Sequence, residues 1–103
     1  MTEQLQEWVN ALRSGRYEQA RYALRTDEGH CCIGVFADET DQRDSLGDRV
    51  YFTGRVVLPP GSPSTDLLIT MNDDWLLTFD QIADVLESPV AQTALTRLYE
   101  ESL

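Results

Sequence analysis

The chain has 103 residues, 42% hydrophobic and 25% charged, which is the material of one globular domain and excludes a chain disordered throughout. Eighteen carboxylates face eight arginines and no lysine, a formal charge of -10 that repels nucleic-acid phosphate and anionic lipid and favours basic protein surfaces. No apolar run approaches the roughly 18 residues of a membrane span, and no basic-then-apolar leader opens the chain, so the expectation is a single cytoplasmic domain over residues 1–103.

Thr2 can cap a first helix whose apolar face is Leu5, Trp8, Val9 and Leu12, with Arg13 at its end and Ser14-Gly15 as the stop. Tyr17, Ala20 and Leu24 stand at helical spacing in a short segment from Tyr17 to Arg25, and Asp27-Glu28-Gly29 reads as a tight turn. Cys31 to Ala37 is apolar on every side and must be buried. Periodicity does not decide between a strand and a helical turn for so short a run. The acidic stretch 38–48 is expected to be a solvated connection. Val50–Thr53 and Arg55–Leu58, around Gly54, are expected to be short strands ended by Pro59-Pro60-Gly61.

Ser64 or Thr65 caps a short turn carrying Leu67, Leu68 and Met71, and Asn72-Asp73-Asp74 is expected to break it. Thr78 and Gln81 form a capping box for a helix with Phe79, Ile82, Ala83 and Leu86 on one face. Ser88-Pro89 opens a last helix with apolar positions Ala91, Ala94, Leu95 and Leu98. The expected fold class is α+β, with helices at both ends packed around a short antiparallel sheet or hairpin.

Few residues suggest chemistry. Adjacent Cys31 and Cys32 cannot staple a loop as a disulfide and do not easily share one tetrahedral zinc, so they are expected to be reduced core residues near Trp8 and Leu12. His30 sits directly beside Cys31 in sequence, where neighbouring side chains diverge instead of forming a dyad. Asp38, Asp41, Asp44 and Asp48 recur every three or four residues without the alternation and central glycine of a calcium loop. No catalytic, cofactor or metal site is assigned.

Thr78 to Leu98 resembles a helix-turn-helix of the kind that closes many sigma factors. It departs at Glu87, where glycine is usual, and at Leu98, one position late. Its second helix carries only Arg97 for phosphate. A wider resemblance runs from Trp8 to Val35. Trp8, Ala11 to Gly15, Tyr17 and Gln19, Leu24-Arg25 and Cys31 to Val35 are similar in kind and order to a family of small proteins encoded by phages and prophages. Met71-Asn72-Asp73, Thr78-Phe79 and Ile82-Ala83-Asp84 continue the likeness. That resemblance implies a source in a bacterial host and no assigned activity.

Together these readings lead to a small acidic protein that binds and occludes another protein. The expected partner is a host protein with a basic surface, such as a nuclease, CRISPR effector or regulator, held by DNA mimicry or an apolar plug. The expected contact residues are Asp38, Asp41, Asp44, Asp73, Asp74, Trp75, Asp80 and Asp84. The alternatives are a helix-turn-helix regulator over Thr78–Leu98 and a small-ligand binder or enzyme around His30-Cys31-Cys32.

Overall fold

Capping and an unbroken apolar face set the first helix. The computed structural model describes residues 2–42 and 56–103. Thr2 accepts a hydrogen bond from the Leu5 amide at 3.2 Å and opens α1 (Glu3–Arg13), which buries Leu5, Trp8, Val9, Ala11 and Leu12. Ser14 closes the helix onto Ala11, and Gly15 turns the chain away at φ 77°, a conformation that costs glycine nothing.

The all-apolar run is a helix, α2 (Cys32–Glu39), and it occupies the centre of the molecule. Cys32 to Ala37 are all buried, which explains the missing periodicity: no face of this stretch meets water. The Trp8 indole N–H donates to the Cys32 carbonyl at 2.9 Å, and the Trp8 and Phe36 rings lie 5.1 Å apart. Gly34 is required by close approach, because a Cβ there would stand 1.8 Å from the Leu24 carbonyl oxygen.

One expectation changes between these helices. Tyr17 to Arg25 is not helical: its carbonyls are taken by a neighbouring segment instead of its own next turn. The Glu18 and Leu24 carbonyls accept from the His30 and Cys31 amides at 2.8 and 3.1 Å, and Ala20 N–H donates to the His30 carbonyl at 2.7 Å. Tyr22, at φ 67°, is also incompatible with a right-handed turn. Asp27-Glu28-Gly29 does turn, with Thr26 and Gly29 exchanging backbone hydrogen bonds.

The α+β class is corrected to all-helical. Among the described residues every regular element is a helix, and pairing is confined to isolated bridges of His30 with Gln19 and Arg25. Residues 50–55 of the expected hairpin lie outside the described residues. Val56–Leu58 forms no strand. The side-chain amide of Gln42 satisfies the Val57 backbone, accepting from its N–H at 2.7 Å and donating to its carbonyl at 3.0 Å.

The C-terminal part opens with α3 (Thr65–Ile69), capped by Ser64. Helical geometry does not break at Asn72-Asp73-Asp74 but widens into a π turn over Thr70–Asp74, closed by Trp75 N–H on the Thr70 carbonyl at 2.8 Å. Leu76, at φ 57°, ends it. The Thr78–Gln81 capping box opens α4 (Phe79–Glu87), and Ser88 caps α5 (Pro89–Glu101). α4 lies along α1, α1 and α3 flank α2, and α5 rests on α4 and α3. The last helix buries none of its thirteen residues; Leu95 and Tyr99 only lean on the core.

Candidate functional site

Asn72 is wholly buried, and its amide makes four hydrogen bonds that join three parts of the chain. Its Oδ1 accepts from the Gln19 side chain at 2.9 Å and from the Cys32 amide, the first N–H of α2, at 3.2 Å. Its Nδ2 donates to the Ala20 carbonyl at 2.9 Å and to the Asp73 carboxylate at 2.7 Å. Gln19 also donates to the Leu77 carbonyl at 2.8 Å. Three consecutive residues of the π turn, Met71, Asn72 and Asp73, are all buried.

Beside this hub lies a cavity of about 120 Å³. Leu24, Ile33, Leu68 and Ile69 form apolar walls, Cys31, Asn72 and Asp73 the polar part, and Tyr22 stands at the edge. Asp73 is only 8% exposed, and among the described residues no arginine forms an ion pair with it.

The thiols hold structure here. Cys31 is the N-cap of α2, its Sγ accepting from the Gly34 amide at 3.4 Å, and Cys32 Sγ donates to the Leu68 carbonyl at 3.7 Å. Burial pushes the Cys31 thiol up to about 11 and the Cys32 thiol well above its ordinary value, so both stay protonated at neutral pH. Such thiols are poor nucleophiles, and the His30 ring lies edge-on to Tyr17, 4.9 Å between centroids. Among the described residues no three His, Cys, Asp or Glu side chains converge as metal ligands would.

The expected contact residues fall into separate places. Asp38 and Asp41 lie at the far end of α2 from the cavity. The Tyr17 hydroxyl sits 3.0 Å from Asp38 and 2.9 Å from Glu39, and Arg16 pairs with Glu39 at 2.7 Å. Burial first, then the hydrogen bonds to Glu39 and Asp38, raise the Tyr17 hydroxyl above its usual range. Asp41 is exposed at φ 56°. Asp44 lies outside the described residues. Asp73 is buried at the hub, Asp74 is exposed, and Trp75 is half-buried against the core. Asp80 is exposed in the first turn of α4, and Asp84 is held by Arg13, which also grips Glu87 and ties α1 to α4. Thr78–Leu98 forms two helices joined by Ser88 alone, without the three- or four-residue turn of a helix-turn-helix.

Tyr22 is not among the expected contacts, whereas Leu76 belongs to the apolar stretch Trp75-Leu76-Leu77 from which an exposed anchor is expected. Both are large, apolar and exposed, at 78% and 58%, and both hold left-handed backbone conformations. They emerge from the two segments that Gln19 and Asn72 tie together. Neither is glycine or asparagine, so no local signal announces the conformation.

Fold and site thus define a small helical domain built around a buried amide hub, with strained apolar residues on its surface. Residues 1–49 match the model of a domain of unknown function, DUF8296, a match that takes in α1, the bridging segment and α2. No curated protein matches the chain, and no solved structure does.

Proposed function

We propose that this protein works by binding another protein, presenting Tyr22 and Leu76 as apolar anchors within an acidic surface. One observation carries the reading. A left-handed conformation costs an ordinary residue about 1–2 kcal/mol, and two exposed apolar side chains gain little burial in return. Such strain is retained where the displayed side chain has work to do outside its own core. Aromatic anchors dominate the energetics of protein interfaces, and exposed carboxylates such as Asp74 and Asp80 supply a rim that speeds encounter with a basic partner.

The partner proposed is a host nuclease, CRISPR effector or regulator, bound in the occluding manner of phage-encoded counter-defence proteins. Anchoring is favoured over imitation of DNA, because Asp73 is buried, Asp84 is paired with Arg13, and Asp38 lies at the opposite end of α2 from Asp73. A row of evenly spaced free carboxylates is not what these positions offer.

The test is affinity capture from a bacterial lysate by wild type and by Tyr22→Gly/Leu76→Gly. Glycine removes both anchors and relieves both conformations, so folding should survive. A protein retained by wild type and lost with the double variant, at unchanged melting temperature, is the expected outcome. Equal retention by both would overturn the reading.

A further inference from the structure

The cavity beside Asn72 reaches the surface next to Tyr22, and its contents say what it would accept. Its volume of about 120 Å³ is far below the roughly 300 Å³ at which sites for cofactors and drug-sized ligands begin, so it suits a single side chain. Its walls at Leu24, Ile33, Leu68 and Ile69 are aliphatic. The Asn72 amide is already committed to four hydrogen bonds and has little left for a ligand. Both thiols are tied into the start of α2 and the α3 backbone.

Asp73 differs from these. A carboxylate offers about four acceptor sites, and the side-chain hydrogen bond that Asp73 receives among the described residues is the one from Asn72 Nδ2. Burying a carboxylate is expensive unless charge or hydrogen bonds compensate it. An anion would be repelled, and a neutral alkyl group would leave the carboxylate no better served. An alkyl cation meets both requirements, its stem along the aliphatic walls and its N–H donors on the carboxylate. The Tyr22 ring at the edge adds a face that attracts cations.

We propose that this cavity is the socket for one lysine or arginine side chain of the protein partner, with Asp73 as its counter-ion. The inference rests on the protein-binding reading above and names the chemistry of the group that the partner inserts. Local encounter is aided by the chain's charge of -10, but the selectivity comes from Asp73 alone.

The probe is n-butylammonium, titrated into the full chain at constant ionic strength and followed by amide NMR, beside n-butanol and butyrate. The expected result is saturable shifts at the amides of Ile33, Ile69 and Asp73 and at the Asn72 side chain with the ammonium only. Asp73→Asn, which can still accept from Asn72, should weaken binding about tenfold or more. Ala23→Phe, which blocks the cavity without touching any charge, should abolish the shifts and decides the matter if Asp73→Asn does not fold. Equal shifts with butanol, shifts confined to exposed carboxylates such as Asp74 and Asp80, or undiminished binding by Ala23→Phe would overturn the socket. Partner capture that is lost with Tyr22→Gly/Leu76→Gly yet kept by Ala23→Phe would also overturn it while leaving the anchor surface standing.

Discussion

Replacing Asn72 by alanine should be among the most damaging single changes available to this chain, although it removes only an amide. Asn72 is fully buried, so no water enters to replace what is lost. Two of its partners become orphaned backbone groups: the Cys32 N–H, which is the first donor of α2, and the Ala20 carbonyl. Each costs about 1–3 kcal/mol when left unsatisfied, so the pair costs about 4 kcal/mol. Gln19 keeps its bond to Leu77, and Asp73 loses the Asn72 donor, which adds to the loss. Domains of this size have about 5–15 kcal/mol in total, so the variant should lose from about a quarter to most of it. Urea unfolding monitored by helical circular dichroism measures the effect as a lower midpoint at unchanged slope. Asn72→Asp should be harmed too: it keeps an acceptor for Cys32 but loses the donor to Ala20 and places a second carboxylate against Asp73. A loss below about 1 kcal/mol for Asn72→Ala would refute the hub as a determinant of stability.

Gly34→Ala should fail to fold or lose at least about 3 kcal/mol, since the added methyl meets the Leu24 backbone and not a side chain that can move; soluble yield and thermal melts check it. At position 31 the order of substitutions should favour serine: Cys31→Ser retains an acceptor for Gly34 N–H and should exceed Cys31→Ala by about 1 kcal/mol in urea unfolding. Burial pushes the native Cys31 thiol up to about 11, above its ordinary value, so the unfolded state releases its proton first. Stability should therefore fall as pH rises from about 9 to about 11, less steeply in Cys31→Ser, in unfolding curves taken across that range. Asp84→Asn removes one arm of an exposed ion pair and should change the melting temperature by the equivalent of less than about 1 kcal/mol, with any effect shrinking in salt.

Elements with local signals were legible. α1, α4 and α5 each begin at a residue whose side chain binds its own backbone three positions on, and α1 and α4 carry one apolar face. α2 was ambiguous for a physical reason: its apolar stretch, Cys32 to Ala37, is buried on all sides and has no period to read. Its start is set by Cys31, an unusual cap, and by Asn72, forty positions away. Tyr17 to Arg25 carries a helical spacing, but Glu18, Ala20 and Leu24 spend their backbone bonds on His30 and Cys31. Asn72 and Asp73 read as helix breakers because polar residues compete with the local backbone. Here they bond to distant groups instead, and no short window contains that information. The blocks Gln19-Ala20, Leu24, Cys31 to Ile33 and Asn72-Asp73, separate in sequence, meet around one buried amide or line the cavity beside it. The candidate acidic contacts were read from charge alone, which does not distinguish an exposed Asp74 from a buried Asp73 or a paired Asp84.

The slight burial of α5 divides the molecule by cooperativity. Its attachments are Leu95 and Tyr99, half-covered, and Gln92, whose amide reaches the Gly61 and Leu86 carbonyls. Little apolar area returns to water when it detaches, whereas opening α1 or α2 exposes the whole interior. Amide exchange should therefore run at two levels. Amides of Ala94 to Leu98 should exchange through a local opening of low free energy, and those of Val9, Leu12, Val35 and Phe36 only through global unfolding. Denaturant should accelerate the second set steeply and the first hardly at all. Among the described residues, a protease acting on the native protein would then cut first within α5.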